Sequence, residues 1–600
     1  MFFPELRFRP LIALLLALGG AGLLASCQGS TLSAADERRV FRYNQPEALT
    51  SLDPAFARNQ ANSWAVAQLY NGLLELNDSL QPAPALARRY SISPDGLTYT
   101  FWLRQGVLFH RDTIVFKESE AQLAREDSTD AENEAKFHGR PVDYKVREDI
   151  RIGQPFTRNV TAADFVYSFK RLLDAKTASP GGWIFRGKVL EDSKGEISDT
   201  CFVAVNDSTL RIHLKAPFIP FLGILTMPYA YVVPHEAVEK YGKDFREHPV
   251  GTGPFQFNTW DEGNVLLYKR NENYWRQDPR GRPLPYLDAV AISFIADRKT
   301  EFLTFLQGKL DFLSGIREGS RDLILNPDGS VRADFTGRFQ VEKAPYLNTE
   351  YLGFQLDSTN LTGAQAAQGR ALRDVRVRQA LNYALNRPEL VAYVLSHVGE
   401  PGTSGFVPKA LPTFSQAQVP GYTYQPQRAR QLLAAAGYGP RRPLHLRLST
   451  VAERKAVAEY LQKNWADVGI QVQIDINQSA AQQELVDNGR TAFFSKSWLG
   501  DYPDAENYLA LFYSPNFSPA GPDKTHYKSA EYDQLYRQAI REQDAAKRTA
   551  LYQAMDRLVV RDSPVIALYY DEIVRLLQNN VRGLSANPTN QLLLERVRKE

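Results

Sequence analysis

Short strand-like runs alternate with helix-like runs along most of this 600-residue chain, and this alternation limits the fold classes that the chain can adopt. Helical spacing of apolar residues occurs, for example, at 426–436 and 545–560, and β-rich runs occur at 444–448 and 565–570. The two kinds of segment interleave without a fixed repeat, which argues against a solenoid or an all-β barrel. We therefore predict a mixed α/β protein.

Local signals mark the start of two elements. Pro94-Asp95-Gly96 stands before the alternating run 99–103, and glycine accepts the positive φ that closes a tight turn, so a hairpin is predicted. Thr161 and Asp164 have the spacing of a capping box, so a helix is predicted to begin there. In contrast, segment 113–157 is dense in charged residues and is predicted to be a solvated insertion.

The N-terminus has the pattern of an export signal. Arg7 and Arg9 precede an apolar run at 11–24, which is shorter than the roughly 20 residues that a spanning helix needs. The following Leu24-Ala25-Ser26-Cys27 resembles the lipobox of bacterial lipoproteins, in which the cysteine is acylated. We expect residues 1–26 to be a signal peptide, Cys27 to carry the lipid and 27–39 to be a tether; the alternative is a plain signal peptide.

Composition limits the disulfides and the partners that this chain can have. Cys201 is the only other cysteine, so no disulfide pair is expected in the mature chain. The net charge of +3 is spread without a basic stripe, which argues against nucleic acid as a partner. We expect an extracytoplasmic monomer that is bound to a membrane only through Cys27.

An ordered series of short motifs spans nearly the whole mature chain. In sequence order they are Ser51-Leu52-Asp53-Pro54, Tyr70-Asn71-Gly72-Leu73-Leu74, Pro84-Ala85-Leu86-Ala87, 95–101, 160–168, Gly251-Thr252-Gly253-Pro254-Phe255, Asn271-Glu272-Asn273-Tyr274-Trp275, 375–384, 429–438, 498–504 and 525–529. Together they resemble the extracytoplasmic solute-binding proteins, family 5, which serve ABC importers of peptides and nickel. The oligopeptide-binding branch is the most similar.

The resemblance implies a type II, cluster C periplasmic-binding-protein fold. Such proteins are α/β clamps of two lobes with an extra third lobe, and they close on ligand by hinge motion. Transferred to this chain, residues 40–75, 206–296 and 563–600 would form lobe I. Residues 76–205, with the charged insertion, would form the extra lobe II, and 297–562 would form lobe III.

The resemblance also implies a function. The chain would capture peptides between the lobes and deliver them to an ABC permease with its ATPase subunits. Asp501, in Trp498-Leu499-Gly500-Asp501-Tyr502, matches the aspartate that accepts the peptide's ammonium group in the oligopeptide branch. The alternative prediction for Asp501 is a structural role, in which its side chain caps the turn before Pro503. Asp504 is predicted to be such a capping residue.

Two further groups of ligand-binding residues follow from the resemblance. The backbone of Ser497, Trp498 and Leu499 matches the edge on which relatives pair an extended peptide. On the opposite lobe, Arg58, Asn59 and Gln60 match positions that line the cleft, although an ordinary polar loop is an equal possibility.

The sequence departs from its relatives near the expected ligand C-terminus. Ser495 stands where binders of longer peptides often have arginine, and Lys496 or Arg490 could compensate. Peptide length and the binding of the ligand carboxylate therefore stay open.

Other functions have less support in the sequence. A nickel chelate or an oligosaccharide is an alternative ligand, and a ligand sensor could use the same fold. A hydrolase would need an acidic pair such as Asp501 and Asp504. However, the sequence has no Gly-x-Ser-x-Gly or His-Glu-x-x-His motif, and its eight histidines are scattered. We predict no catalytic residues, no metal site and no cofactor.

Overall fold

The computed structural model describes residues 39–116, 156–315 and 324–600. Cys27, the predicted signal peptide and the predicted tether up to residue 38 lie outside the described residues. Most of the charged insertion, at 117–155, also lies outside them.

Helices and strands alternate along the described chain, so the predicted α/β class is confirmed. The helices of seven or more residues are α1 Gln60–Ala67, α2 Ala162–Leu173, α3 His235–Tyr241, α4 Arg298–Leu306, α5 Gly363–Leu372, α6 Val375–Tyr383, α7 Pro426–Ala435, α8 Lys455–Ala466, α9 Ser479–Asp487, α10 Ala530–Ala539 and α11 Ala545–Asp562. Shorter helices occupy Phe221–Ile224, Arg387–Glu389 and Glu506–Leu509, with one π-helical turn at Leu390–Val394.

Most strands belong to one large sheet. Its strands are β1 Val40–Asn44, β8 Phe255–Asp261, β9 Val265–Arg270, β10 Ala289–Ser293, β11 Phe312–Ser314, β12 Gln340–Phe354, β13 Glu400–Pro401, β14 Leu444–Val451, β15 Ile470–Asn477, β16 Phe493–Leu499 and β17 Val565–Leu577. The spatial order is β15-β14-β16-β12-β17-β11-β1-β10-β9-β8, with β13 beside β17.

The two longest strands cross from one half of this sheet to the other. The first half of β12 pairs with the end of β17 beside β11, whereas its second half, from Thr349 to Gly353, lies between β16 and the start of β17. We call the β1 and β8–β11 side the N-terminal lobe and the β14–β16 side the C-terminal lobe. Two lobes joined by crossing strands are the predicted clamp fold.

A smaller sheet packs against the N-terminal lobe. It contains β4 Ala87–Ile92, β5 Thr98–Leu103, β6 Phe202–Asn206 and β7 Thr209–His213, in the order β4-β5-β7-β6. The remaining pairs are β2 Leu74–Leu76 with β3 Pro82–Pro84, and β18 Val581–Arg582 with β19 Arg598–Lys599. One apolar core runs through both the small sheet and the N-terminal lobe, and separate cores fill the C-terminal lobe.

The local signals read from the sequence are confirmed. Gly96, at φ 72°, closes the turn between β4 and β5. The Asp164 carboxylate accepts the Thr161 main-chain N–H at 2.8 Å where α2 begins. The Asp164 bond satisfies a main-chain N–H at a helix start that would otherwise have no partner within the helix.

The Gly251-Thr252-Gly253 motif has a packing role. A Cβ placed on Gly251 would lie 2.0 Å from the Leu69 carbonyl oxygen, and one on Gly253 would lie 2.4 Å from the Leu69 carbonyl carbon. Gly253 N–H donates to that Leu69 oxygen at 2.9 Å. Only glycine allows this close backbone approach.

Candidate functional site

A cavity of about 920 Å³ opens between the lobes beside the crossing strands. This volume is at the upper end of the range found for small-molecule sites. It is lined from the N-terminal lobe by Gln45, Gln60 and Trp64, from the C-terminal lobe by Arg454, Ser495, Lys496 and Ser497, and from the crossing strands by Tyr346, Glu350 and 571–574, among others. The cavity is thus lined by both lobes and by the strands that connect them, which are the parts that a hinge motion would move.

One edge of β16 leads out of this cavity. Ser497, Trp498 and Leu499 pair with Glu350, Thr349 and Asn348 of β12 on one side. On the other side, the described pairing with β14 reaches only Phe494. The end of β16 therefore presents main-chain groups to which an extended chain can be added. Ser497 lines the cavity, whereas Leu499 is exposed beyond it.

Asp501 follows two residues after β16, at most about 13 Å from Ser497 at the rise of an extended chain. Its side chain is exposed. Buried Asn507 holds it in place: Asn507 Nδ2 donates to Asp501 Oδ2 at 3.3 Å, and Asn507 Oδ1 accepts Asp501 N–H at 3.0 Å. Trp498 Nε1 donates to the same Asn507 oxygen at 3.0 Å, so one amide fixes both motif residues.

The environment of Asp501 disfavours its charged form. Although the residue is exposed, desolvation by the surrounding protein raises the pKa of its carboxyl, which the Asn507 hydrogen bond and the Lys188 charge partly oppose. Burial, with a smaller contribution from the Asp501 charge, raises the pKa of Tyr229 to about 12. A carboxylate in such surroundings gains stability when a cation binds to it.

The structure assigns the turn-capping role to Asp504. Its Oδ1 accepts Glu506 N–H at 2.9 Å, at the start of the Glu506–Leu509 helix. Among the described residues, no main-chain N–H donates to the Asp501 carboxylate. The same loop thus holds one capping aspartate, Asp504, and one exposed aspartate, Asp501, whose carboxylate does not serve as a cap.

Arg58, Asn59 and Gln60 have three different environments. Gln60 lines the cavity. Asn59 caps α1, where its Oδ1 accepts Asn62 N–H at 2.9 Å. Arg58 is exposed, and its charge lowers the pKa of Tyr229, the residue whose pKa the Asp501 charge raises. The three neighbours therefore do not form a single cluster.

An ion pair lies on the cavity wall next to the open edge of β16. Arg454 Nε lies 2.9 Å from Glu350 Oε2, and Arg454 Nη2 donates to Ser497 Oγ at 3.0 Å. Glu350 is buried. A buried charge is costly without a partner. Arg454 therefore neutralises the charge of Glu350 where β12 meets β16.

Lys496, rather than Arg490, lies at the cavity. Its ammonium group donates to Gln483 Oε1 at 3.2 Å and has no carboxylate oxygen within 4.0 Å among the described residues. Burial lowers the pKa of Lys496. Arg490 is absent from the described cavity wall and lies 3.4 Å from the Glu484 carboxylate. Lys496 is therefore the one of the two that is placed to meet a ligand carboxylate.

One group of potential metal ligands occurs in the described residues, at Asp164, His235 and Glu236. Arg158 already binds both acids, with Nη2 2.7 Å from Asp164 and Nε 2.6 Å from Glu236. The guanidinium group supplies the positive charge that a metal would bring, so this cluster is an ion-pair network.

Sequence reasoning missed Lys188, Tyr229, Arg454 and Tyr346. No motif marks any of the four. Tertiary structure places Arg454 and Tyr346 on the cavity wall and brings Lys188 and Tyr229 close enough to Asp501 for an electrostatic interaction. Lys496, which lies within β16, was not missed, because the sequence predicted it as one of two residues that could replace the arginine of longer-peptide binders.

A two-lobed α/β clamp with a large inter-lobe cavity is the architecture of a binding protein. The family model for bacterial extracellular solute-binding proteins, family 5 Middle, matches residues 81–519. This chain belongs to that family. Its relatives are solute-binding proteins and not enzymes. Among the described residues, no helix is long and apolar enough to cross a membrane.

A curated relative agrees with this assignment, and solved structures share the fold. The chain is 28% identical to glutathione-binding protein GsiB of Escherichia coli O1:K1 / APEC over 547 residues, which cover 90% of each protein. Among solved structures, HbpA2 from Haemophilus parasuis matches with a TM-score of 0.72 at 23% identity, covering 94% of this chain and 99% of that one. DppA from Helicobacter pylori in complex with peptide STSA matches with a TM-score of 0.67 at 21% identity, covering 95% and 100%.

Proposed function

We propose that this protein captures peptides in its inter-lobe cleft for an ABC importer, with Asp501 binding the ammonium group of the ligand. The observation that carries this proposal is the placement of Asp501. Asn507 fixes it just beyond an open strand edge that leads into the cavity. A charge-assisted hydrogen bond to such a carboxylate contributes roughly 1.5 to 3 kcal/mol.

Main-chain pairing would hold the rest of the peptide. The open edge at Ser497, Trp498 and Leu499 offers hydrogen bonds that every peptide can make, whatever its side chains. Lys496 would then meet the ligand carboxylate at the other end, inside the cavity. Arg58 and Gln60 would contact the ligand from the N-terminal lobe, whereas the Asn59 oxygen is engaged in capping α1.

The named ligands of similar proteins support a peptide-sized compound. GsiB is named for glutathione, a tripeptide, and DppA from Helicobacter pylori carries a bound tetrapeptide. The size of the cavity supports the same range. A nickel chelate has less support, because the metal-ligating group among the described residues already holds Arg158.

Ligand binding would be coupled to lobe closure. The N-terminal and C-terminal lobes are joined by β12 and β17, so a ligand that contacts both lobes favours the closed state. We propose that an ABC permease with its ATPase subunits recognises that state. We further propose the division into lobe I at 40–75, 206–296 and 563–600, lobe II at 76–205 and lobe III at 297–562.

The site of action would be the outer face of a membrane. We propose that Cys27 is acylated after removal of residues 1–26, and that 27–39 tethers the body. Cells grown with labelled palmitate should yield a labelled protein, and Cys27→Ala should lose the label. A labelled Cys27→Ala protein would contradict the anchor.

A peptide pool tests the function itself. Protein incubated with mixed dipeptides to hexapeptides, desalted and examined by native mass spectrometry should retain intact peptides, with none cleaved. Retention of a metal chelate or an oligosaccharide instead would overturn the peptide proposal, and cleaved peptides would favour a hydrolase.

A further inference from the structure

One end of the N-terminal-lobe sheet carries an excess of positive charge. Val40, Ala289 and Lys269 lie side by side there on β1, β10 and β9. Next to β1, strands β11 and β12 begin on either side of the end of β17. We call this end of the sheet, with the adjoining loop 278–288 and strands β18 and β19, the basic end.

Four exposed cations at the basic end have no acidic partner. They are Lys269 near the end of β9, Arg280 in the loop that follows, Lys309 before β11 and Arg338 before β12. Among the described residues, no carboxylate oxygen lies within 4.0 Å of any of these four charged groups. Neighbouring strands are about 4.8 Å apart, so the five strand steps from β9 to β12 spread these cations over about 24 Å.

Three further arginines are only partly neutralised. Arg582 and Arg598 lie opposite each other on β18 and β19 and share one carboxylate, that of Glu600, at 3.3 and 3.4 Å. Like charges in opposite positions of a strand pair repel each other. Arg598 also lines a cavity of about 540 Å³ with Arg280 and Arg282. An anionic group in this cavity would meet three guanidinium groups.

The acids at the basic end do not balance these charges. Six carboxylates lie in or beside it, those of Glu272, Asp278, Asp288, Asp334, Glu595 and Glu600. All of them except Asp334 lie within 4.0 Å of an arginine. The four unpaired cations therefore give this end a net positive charge.

The chain enters the folded body at the basic end. The Arg39 carbonyl oxygen accepts Asp288 N–H at 2.9 Å, and the Val40 carbonyl oxygen accepts Lys599 Nζ at 2.9 Å. Cys27 precedes Arg39 by twelve residues, which span at most about 43 Å when fully extended. A lipid at Cys27 would therefore keep the basic end within reach of the membrane surface.

We propose that the basic end docks on the phosphate groups of anionic phospholipids in the membrane that holds Cys27. Guanidinium groups bind phosphate oxygens through two parallel N–H bonds, and most of the cations here are arginines. This inference rests on the proposed anchor and not on the peptide ligand. Asn44, at the opposite end of β1, lines the inter-lobe cavity, so a docked body keeps its cleft away from the lipid and open for capture.

Co-sedimentation with vesicles tests the inference on the mature chain with Cys27→Ser, which carries no lipid. At low salt we expect at least tenfold stronger partitioning onto vesicles of equal parts phosphatidylglycerol and phosphatidylcholine than onto pure phosphatidylcholine. About 1 M NaCl should release the protein, because the Debye length is then about 3 Å. The double variant Arg280→Gln, Arg338→Gln should partition about tenfold more weakly, since each basic side chain near an anionic surface contributes severalfold.

The matched control is Arg370→Gln, Arg428→Gln, which removes the same charge from exposed positions of the C-terminal lobe and should keep full partitioning. Thermal melts and peptide titration should show both double variants folded and active. No partitioning at low salt, equal partitioning onto the two kinds of vesicle, or equal losses in the two double variants would overturn the inference. Because this protein carries no lipid, such a failure is distinct from a failure of palmitate labelling or of peptide binding.

Discussion

The substitution Asp501→Asn removes the charge that is proposed to hold the ligand while it keeps the shape of the side chain. Asparagine can still accept the Asn507 Nδ2 hydrogen bond, and the main-chain N–H of residue 501 still donates to Asn507 Oδ1. The loop after β16 should therefore keep its conformation. Any loss of affinity then reports on the ligand rather than on folding.

The structure sets the size of the expected effect. Asp501 is exposed as a residue, which favours the lower end of the roughly 1.5 to 3 kcal/mol for a charge-assisted bond. Closure around the ligand would exclude water and raise the value. Since about 1.4 kcal/mol is a factor of ten, we expect the Kd to rise about 10- to 100-fold.

Isothermal titration with one tripeptide and its N-acetylated form is the assay. For the wild type, acetylation should weaken binding by about the same factor as the substitution. For Asp501→Asn, acetylation should have little further effect. Asp504→Asn is the matched control, because its side chain can still cap the following helix and does not serve the ligand. An Asp501→Asn variant with wild-type affinity, or equal losses in both variants, would refute the reasoning.

Four further results are expected. Asn507→Ala should weaken peptide binding about tenfold by titration and lower the free energy of unfolding by roughly 1 kcal/mol, since the partly buried N–H groups of Trp498 Nε1 and the Asp501 main chain lose their acceptor. Unchanged affinity would show that Asp501 needs no support. Because desolvation raises the pKa of Asp501 and only its carboxylate binds an ammonium group, affinity should fall with decreasing pH, with a midpoint above the ordinary carboxyl value of about 3.9. An equally steep pH dependence in Asp501→Asn would contradict this. Gly253→Ala should lower the free energy of unfolding by roughly 3 kcal/mol in urea denaturation, because its Cβ would overlap the Leu69 backbone; a wild-type midpoint would argue against that close approach. Amidation of the ligand C-terminus should weaken binding to the wild type about three- to tenfold but hardly affect Lys496→Met, and equal losses would place the carboxylate elsewhere.

The amphipathic helices were predictable from local pattern alone. Predicted segments 426–436 and 545–560 correspond to Pro426–Ala435 and Ala545–Asp562. Each has one apolar face against a core, and this gives a period that single-sequence reasoning detects. The fold class follows from the same alternation.

The crossing strand β12 could not be predicted in this way. Its second half is buried throughout, yet it contains Asn348, Thr349 and Glu350 in succession. Their burial comes from tertiary partners, such as Arg454 for Glu350, and not from an apolar face. A polar run buried between lobes has neither the period nor the hydropathy of an ordinary strand.

The candidate site divides in a similar way. Asp501 and the β16 edge were found through resemblance to a family, and the structure adds their support by Asn507. Lys188 and Tyr229 lie hundreds of residues away in the chain, in segments without a recognisable motif. Their electrostatic interaction with Asp501 depends on how the lobes pack, which no local pattern encodes.

The structure of the mature protein in complex with a bound tripeptide tests the central claim most directly. The account predicts that the ligand ammonium group lies within about 3 Å of the Asp501 carboxylate. It also predicts that the ligand main chain pairs with Ser497–Leu499 between closed lobes. A peptide bound in another place, or bound with its amino terminus away from Asp501, would contradict it.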